Sequence, residues 1–134
     1  MKREVVAVAA EGKKERIYDL EERLIAFAVR IMEVVEALPK TRVGNHCSGQ
    51  LLRCGTSPAP NYGEAQGAES RDDFVHKLKV CLKELRETRV WLIMMQRKPL
   101  IKPPQRLEPL VAENVQLISI IASSITTAKR NRPK

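Results

Sequence analysis

Four segments of this 134-residue chain repeat apolar residues at three- and four-residue steps, and prolines stand between or inside them. That period marks an α-helix with one face turned to a core; a half-buried strand would alternate every second residue. The first helix is predicted from about Arg16 to Leu38, with Leu20, Leu24, Phe27, Ile31, Val35 and Leu38 on its stripe and Pro39 as its stop. The second is predicted to start near Asn45, a good N-cap residue, and to align Cys47, Leu51, Cys54, Pro58, Asn61 and Ala65. Pro58 and Pro60 each remove a backbone donor, so this helix should kink or divide there. In the third, Ser70 and Asp73 read as a capping pair, and Phe74, Leu78, Cys81, Leu82, Leu85 and Leu92 carry the stripe to about Gln96. The fourth begins between Pro103 and Pro109 and buries Leu110, Asn114, Leu117, Ile121 and Ile125. Four such helices with short connections imply an all-α, antiparallel up-down four-helix bundle over residues 16–128. A leader (1–15) precedes the bundle and a basic tail (129–134) follows it.

Composition narrows the class further. Aromatic residues make up only 4% of the chain, so the core must be aliphatic. No uninterrupted apolar run approaches the roughly 18 residues of a membrane span, so no membrane partner is expected. The apolar run Val5 to Ala10 is too short for a secretory h-region, and a cytoplasmic protein is expected. Cys47, Cys54 and Cys81 make an odd count without a Cys-x-x-Cys pair, which reads as buried thiols rather than a disulfide framework. His46 and His76 form no ligand pair at helical spacing, and no metal or other cofactor is expected.

The formal charge is +8, and its placement matters more than its sum. In an up-down bundle the first and third connections share one end. Here those connections carry Lys40, Arg42, Arg97, Lys98, Lys102 and Arg106 without an acidic residue between 39 and 44 or between 97 and 106. The tail adds Lys129, Arg130, Arg132 and Lys134. Residues 17–38, by contrast, set Arg23 and Arg30 against Asp19, Glu21, Glu22, Glu33 and Glu36. Positive charge gathered at loops and a tail suits the phosphate backbone of RNA or DNA, though solvated loops collect lysine and arginine without any such partner. Sequence-specific reading is not supported: no known base-reading motif is present, and no aromatic residues interleave the basic ones.

Several polar residues fall on inward faces. Asn61 lies on the second stripe with Arg53 and Glu64 flanking it, and Glu84, Glu87 and Trp91 form a second row beside the core of the third helix. A carboxylate at such a position must be paired, and Arg53 is the expected mate of Glu84 or Glu87. Carbonyls freed near Pro58 and Pro60 are expected to serve Asn61 and Trp91. Two nearby carboxylates can also act as acid and base, or bind a metal. The Glu-x-x-His pairs of di-metal bundles are missing, and so is any nucleophile with a histidine base. The expectation is a structural polar network in a protein that is not an enzyme.

The stretches Ser48 to Arg53, Ser57-Pro-Ala-Pro-Asn61-Tyr-Gly-Glu64 and Leu82-Lys-Glu84-Leu-Arg-Glu87-Thr88-Arg-Val-Trp91 resemble a bacterial four-helix-bundle family. Its members were first noticed as reading frames inside intervening sequences of 23S ribosomal RNA genes. The resemblance covers about residues 17–128; a more distant likeness is to the accessory variability determinant of diversity-generating retroelements. It implies a ring of identical bundles, a homopentamer as the first expectation. The retroelement relative implies binding to nucleic acid and to a reverse transcriptase. The chain departs from the pattern in the second proline, Pro60, and in its longer leader.

Overall fold

The computed structural model describes residues 12–131, with side chains described from Leu20 onward. The leader up to residue 11 and the tail residues Arg132 and Lys134 lie outside the described residues. The helices are α1 (Gly12–Ala37), α2 (Arg42–Thr56), α3 (Pro58–Gln66), α4 (Arg71–Arg97) and α5 (Glu108–Arg130), with a 3-10 turn at Pro104–Leu107 before the last. No strand occurs among the described residues. Together α2 and α3 are one helix bent by 19° at residue 57, so the chain is an all-α four-helix bundle.

Each terminus has a local cause. α1 starts at Gly12, ahead of the expected Arg16, and closes before Pro39. α2 is capped by Thr41, not Asn45. Thr41 takes an extended backbone (φ −123°, ψ 173°), and its hydroxyl accepts the Gly44 N–H at 3.0 Å. Asn45 falls inside the first turn, where its own N–H donates to the Thr41 carbonyl. The cap sits this early because Gly44 lets the carbonyl of Pro39 approach the helix: a Cβ there would stand 1.9 Å from that oxygen.

At the α2–α3 junction the prolines bend the helix without breaking it. Ser57 keeps helical dihedrals (φ −64°, ψ −36°), its N–H reaches the Arg53 carbonyl, and its carbonyl accepts from Asn61. α4 begins as the sequence indicates: the Ser70 hydroxyl accepts the Asp73 N–H at 3.0 Å, and two acids occupy the first turn. Pro109 opens α5, where a missing N–H costs nothing.

α1 packs against α2, α3 and α5; α4 packs against the same three helices; α1 and α4 lie across the bundle diagonal without close backbone contact. The core between them is aliphatic. Leu24, Ile31, Leu51, Leu78, Leu85, Leu92, Leu117 and Ile121 are at most 1% exposed, with Phe27 the largest side chain among them. Each contributes about 1.5–3 kcal/mol by leaving water. The segment Pro104–Arg130 has an 18-residue window of mean hydropathy 1.3, enough by length and composition to cross a membrane. In the bundle its stripe, Leu110, Leu117, Ile121 and Ile125, is buried in the core.

Candidate nucleic-acid interface

The polar residues of the inward faces form a seam between α2 and α4. Arg53 reaches across with one nitrogen on Glu84 Oε1 at 3.1 Å and the other on Glu87 Oε2, and it also donates to Gln50. Glu87 in turn accepts the Trp91 indole N–H at 3.1 Å, and His46 meets the Trp91 ring edge-on at 5.7 Å. Glu84 is the most enclosed, its side chain 11% exposed, while that of Arg53 is half exposed. Partial desolvation works against the Arg53 charge, but the hydrogen bond and charge of Glu87, then of Glu84, hold its proton more tightly than usual. The seam is thus a satisfied ion-pair network with its cation at the surface.

Two of the expected members, Trp91 and Glu64, are arranged differently, while Asn61 finds its carbonyl beside Pro58 as expected. Trp91 turns to Glu87 instead of a carbonyl freed by the prolines, because that carboxylate lies one helical turn away on its own helix. Asn61 serves the junction, donating to both the carbonyl and the hydroxyl of Ser57 at 3.0 and 2.9 Å. Glu64 is exposed and pairs with Lys77 Nζ at 2.7 Å, outside the seam.

The three cysteines are buried and free. Burial pushes the thiols up, that of Cys81 to about 12, and Cys81 also donates to the Pro58 carbonyl at 3.4 Å. A disulfide reagent at mildly alkaline pH should therefore find no fast-reacting thiol in the native chain and three once it is unfolded. Because the folded chain holds the Cys81 proton where the unfolded chain has released it, stability should fall as pH rises from the usual thiol range toward about 12. Alkaline denaturation followed by circular dichroism checks the sign.

The loop cations sit as the topology requires. The α1–α2 and α4–α5 connections share one end, and Lys40, Arg42, Arg97, Lys98, Lys102 and Arg106 are all exposed there. None of the six has a carboxylate partner among the described residues; Arg106 donates only to the Lys102 carbonyl, at 3.4 Å. Lys129 and Arg130 are exposed at the far end of α5, about 34 Å away by helix rise. One compact ligand site cannot include both sets. Arg71 on that second end is engaged with the Ala128 carbonyl at 3.0 Å.

One basic feature was missed by assigning positive charge to loops and tails. Between residues 75 and 97 of α4 every exposed charged side chain is basic: Lys79, Lys83, Arg86, Arg89 and Arg97. The acids of the same stretch are turned to the seam, Glu84 buried and Glu87 held by Arg53. The three- and four-residue steps of Lys79, Lys83, Arg86 and Arg89 are visible in the sequence, but which of the helix's charges face outward is decided by packing.

Comparison with known proteins is consistent with this architecture. The chain is similar to a Bacteroides thetaiotaomicron protein of the S23 ribosomal protein family, of unknown function, solved by crystallography. The two are 34% identical with a TM-score of 0.73, over 79% of this chain and 97% of the other. No curated protein matches. The family model described as 23S rRNA-intervening sequence protein matches residues 13–123. That span takes in the seam, both basic connections and nearly all of the bundle, and the chain belongs to the 23S rRNA-intervening sequence protein family.

Proposed function

We propose that this protein is an oligomeric accessory factor that holds a nucleic-acid backbone, without reading its sequence, through the basic end formed by the α1–α2 and α4–α5 connections. The observation that supports the reading is the cluster of six exposed cations, Lys40, Arg42, Arg97, Lys98, Lys102 and Arg106, with no carboxylate partner in the described structure. Unpaired guanidinium and ammonium groups on one end can displace condensed counterions from phosphates, which is the main source of nonspecific affinity. The lack of aromatic residues in these connections favours backbone contact over base stacking. A reverse transcriptase, as in the retroelement likeness, is a partner of the same proposal.

The test is the salt dependence of binding to a mixed-sequence RNA and to a duplex DNA. If four of the cations each cover a phosphate, affinity falls about a hundredfold between about 50 and 200 mM salt. Lys102→Ala with Arg106→Ala should lower the log–log slope by about two, whatever the sequence of the probe. Affinity that is flat with salt, or no binding at low salt, overturns the reading. The second reading is a structural or protein-interaction ring whose charge serves solubility; a protein partner whose capture survives nuclease treatment would favour it.

A further inference from the structure

α1 and α4 carry opposite charge on their outward faces, and each interrupts that charge with apolar residues. On α1 from Leu20 onward, the exposed charged side chains are Glu21, Glu22, Glu33 and Glu36, all acidic. Its two arginines there are half-buried on another side, Arg23 bridging to Glu113 of α5 at 2.8 Å. Between these acids Ile25, Val29 and Met32 stand 43–46% exposed, at the four- and three-residue steps of a single stripe. On α4 the exposed charges from residue 75 onward are basic, and Val90 and Met94 stand 50% and 43% exposed among them. The spacing matches as well. Glu22, Val29 and Glu36 recur every seven residues, and so do Lys83, Val90 and Arg97, the interval at which one helix presents a seam to another.

We infer that the acidic-apolar face of α1 docks on the basic-apolar face of α4 in a second copy of this chain. The contact unites the two apolar stripes and flanks them with carboxylate–ammonium and carboxylate–guanidinium pairs. Val43, Leu52 and Val115 are exposed as well, but only the stripes of α1 and α4 are bordered by charges of opposite sign, and that complementarity selects them. Because α1 and α4 lie across the bundle diagonal, the two faces point away from each other and the contact is head-to-tail. Such a contact repeats from copy to copy until it closes a ring or runs on as a filament. The inference rests on the oligomeric part of the proposed function and names the surfaces that build the oligomer. It leaves the cations of the connections other than Arg97 free for phosphate.

The experiment is light scattering on the full chain, with circular dichroism to confirm helicity. The native chain should show a multiple of its 15.2 kDa mass. Glu22→Lys with Glu36→Lys, and separately Lys83→Glu with Arg86→Glu, should each drop to the single-chain mass. The chain carrying all four reversals restores opposite charges across the contact and should recover the assembled mass, which no merely misfolded variant would do. Reversed chains that keep the native mass, or a four-fold variant that stays single, overturn the inference while leaving assembly itself intact. An α4 variant of native mass that has lost RNA binding also overturns it, and assigns the row to nucleic acid. A native chain that is single at micromolar concentration overturns both the inference and the oligomeric reading.

Discussion

Gly44→Ala is expected to destabilise the bundle by about 3 kcal/mol, at the upper end of overpacking costs, although alanine is the better helix former. The added Cβ would sit 1.9 Å from the Pro39 carbonyl oxygen and 3.0 Å from its carbon. These are backbone atoms, so no side chain can rotate away, and the start of α2 must lift from the loop. Lifting it also breaks the Thr41 cap, which accepts the Gly44 N–H itself. Intrinsic propensity favours alanine by only about 1 kcal/mol, so the clash prevails. Chemical denaturation measures the loss. Gly49→Ala, where a Cβ meets nothing within 4 Å, should instead be neutral or stabilising and serves as the control.

The second large effect concerns the seam. Arg53→Met keeps the stem that covers apolar surface but removes the charge that joins Glu84 and Glu87. Glu84 is 9% exposed, so it would be left nearly enclosed without its counter-ion. Breaking a fully buried pair costs about 3–5 kcal/mol. Arg53 is half exposed and water can partly replace it, so the loss here should fall well below that of a fully buried pair. Glu84→Gln in the Arg53→Met background should then cost less than in the native chain, the sign of a coupled pair. Additive losses would mean that the two side chains do not act as a pair. The same cycle addresses an acid–base role for the carboxylates, because a structural pair predicts a loss of stability in Glu84→Gln.

Much of this molecule was legible in its residues, for different reasons in different places. The stripes of α1, α4 and α5 were readable because an aliphatic core demands the helical period directly. The Ser70 cap and the proline bend were readable because each depends on one residue and its immediate neighbours. Asn45 is a good cap by residue type, but the cap is Thr41, and what places it there is the approach of Pro39 to Gly44, a contact through space. Arg53 was matched with Glu84 and Glu87 because a carboxylate on an inward face leaves few alternatives. Glu64 was misplaced because proximity along α3 does not reveal that Lys77 of α4 is nearer.

The basic end shows where the two kinds of information divide. Sequence alone determined that Lys40, Arg42, Arg97, Lys98, Lys102 and Arg106 belong to two connections, and that an up-down chain brings those connections together. Only the tertiary structure decided which cations are unspent, because a charge is neutralised by whatever stands within a few ångströms of it, not by its neighbours in the chain. That is why α4, mixed in sequence, is basic on its surface: packing turns Glu84 and Glu87 toward Arg53 and leaves Lys79, Lys83 and Arg86 facing water. The opposite happens on α1, where Arg23 is taken up by Glu113 and the outward charge is acidic. Periodicity in one dimension thus determines which residues share a face, and packing in three dimensions determines which faces keep their charge.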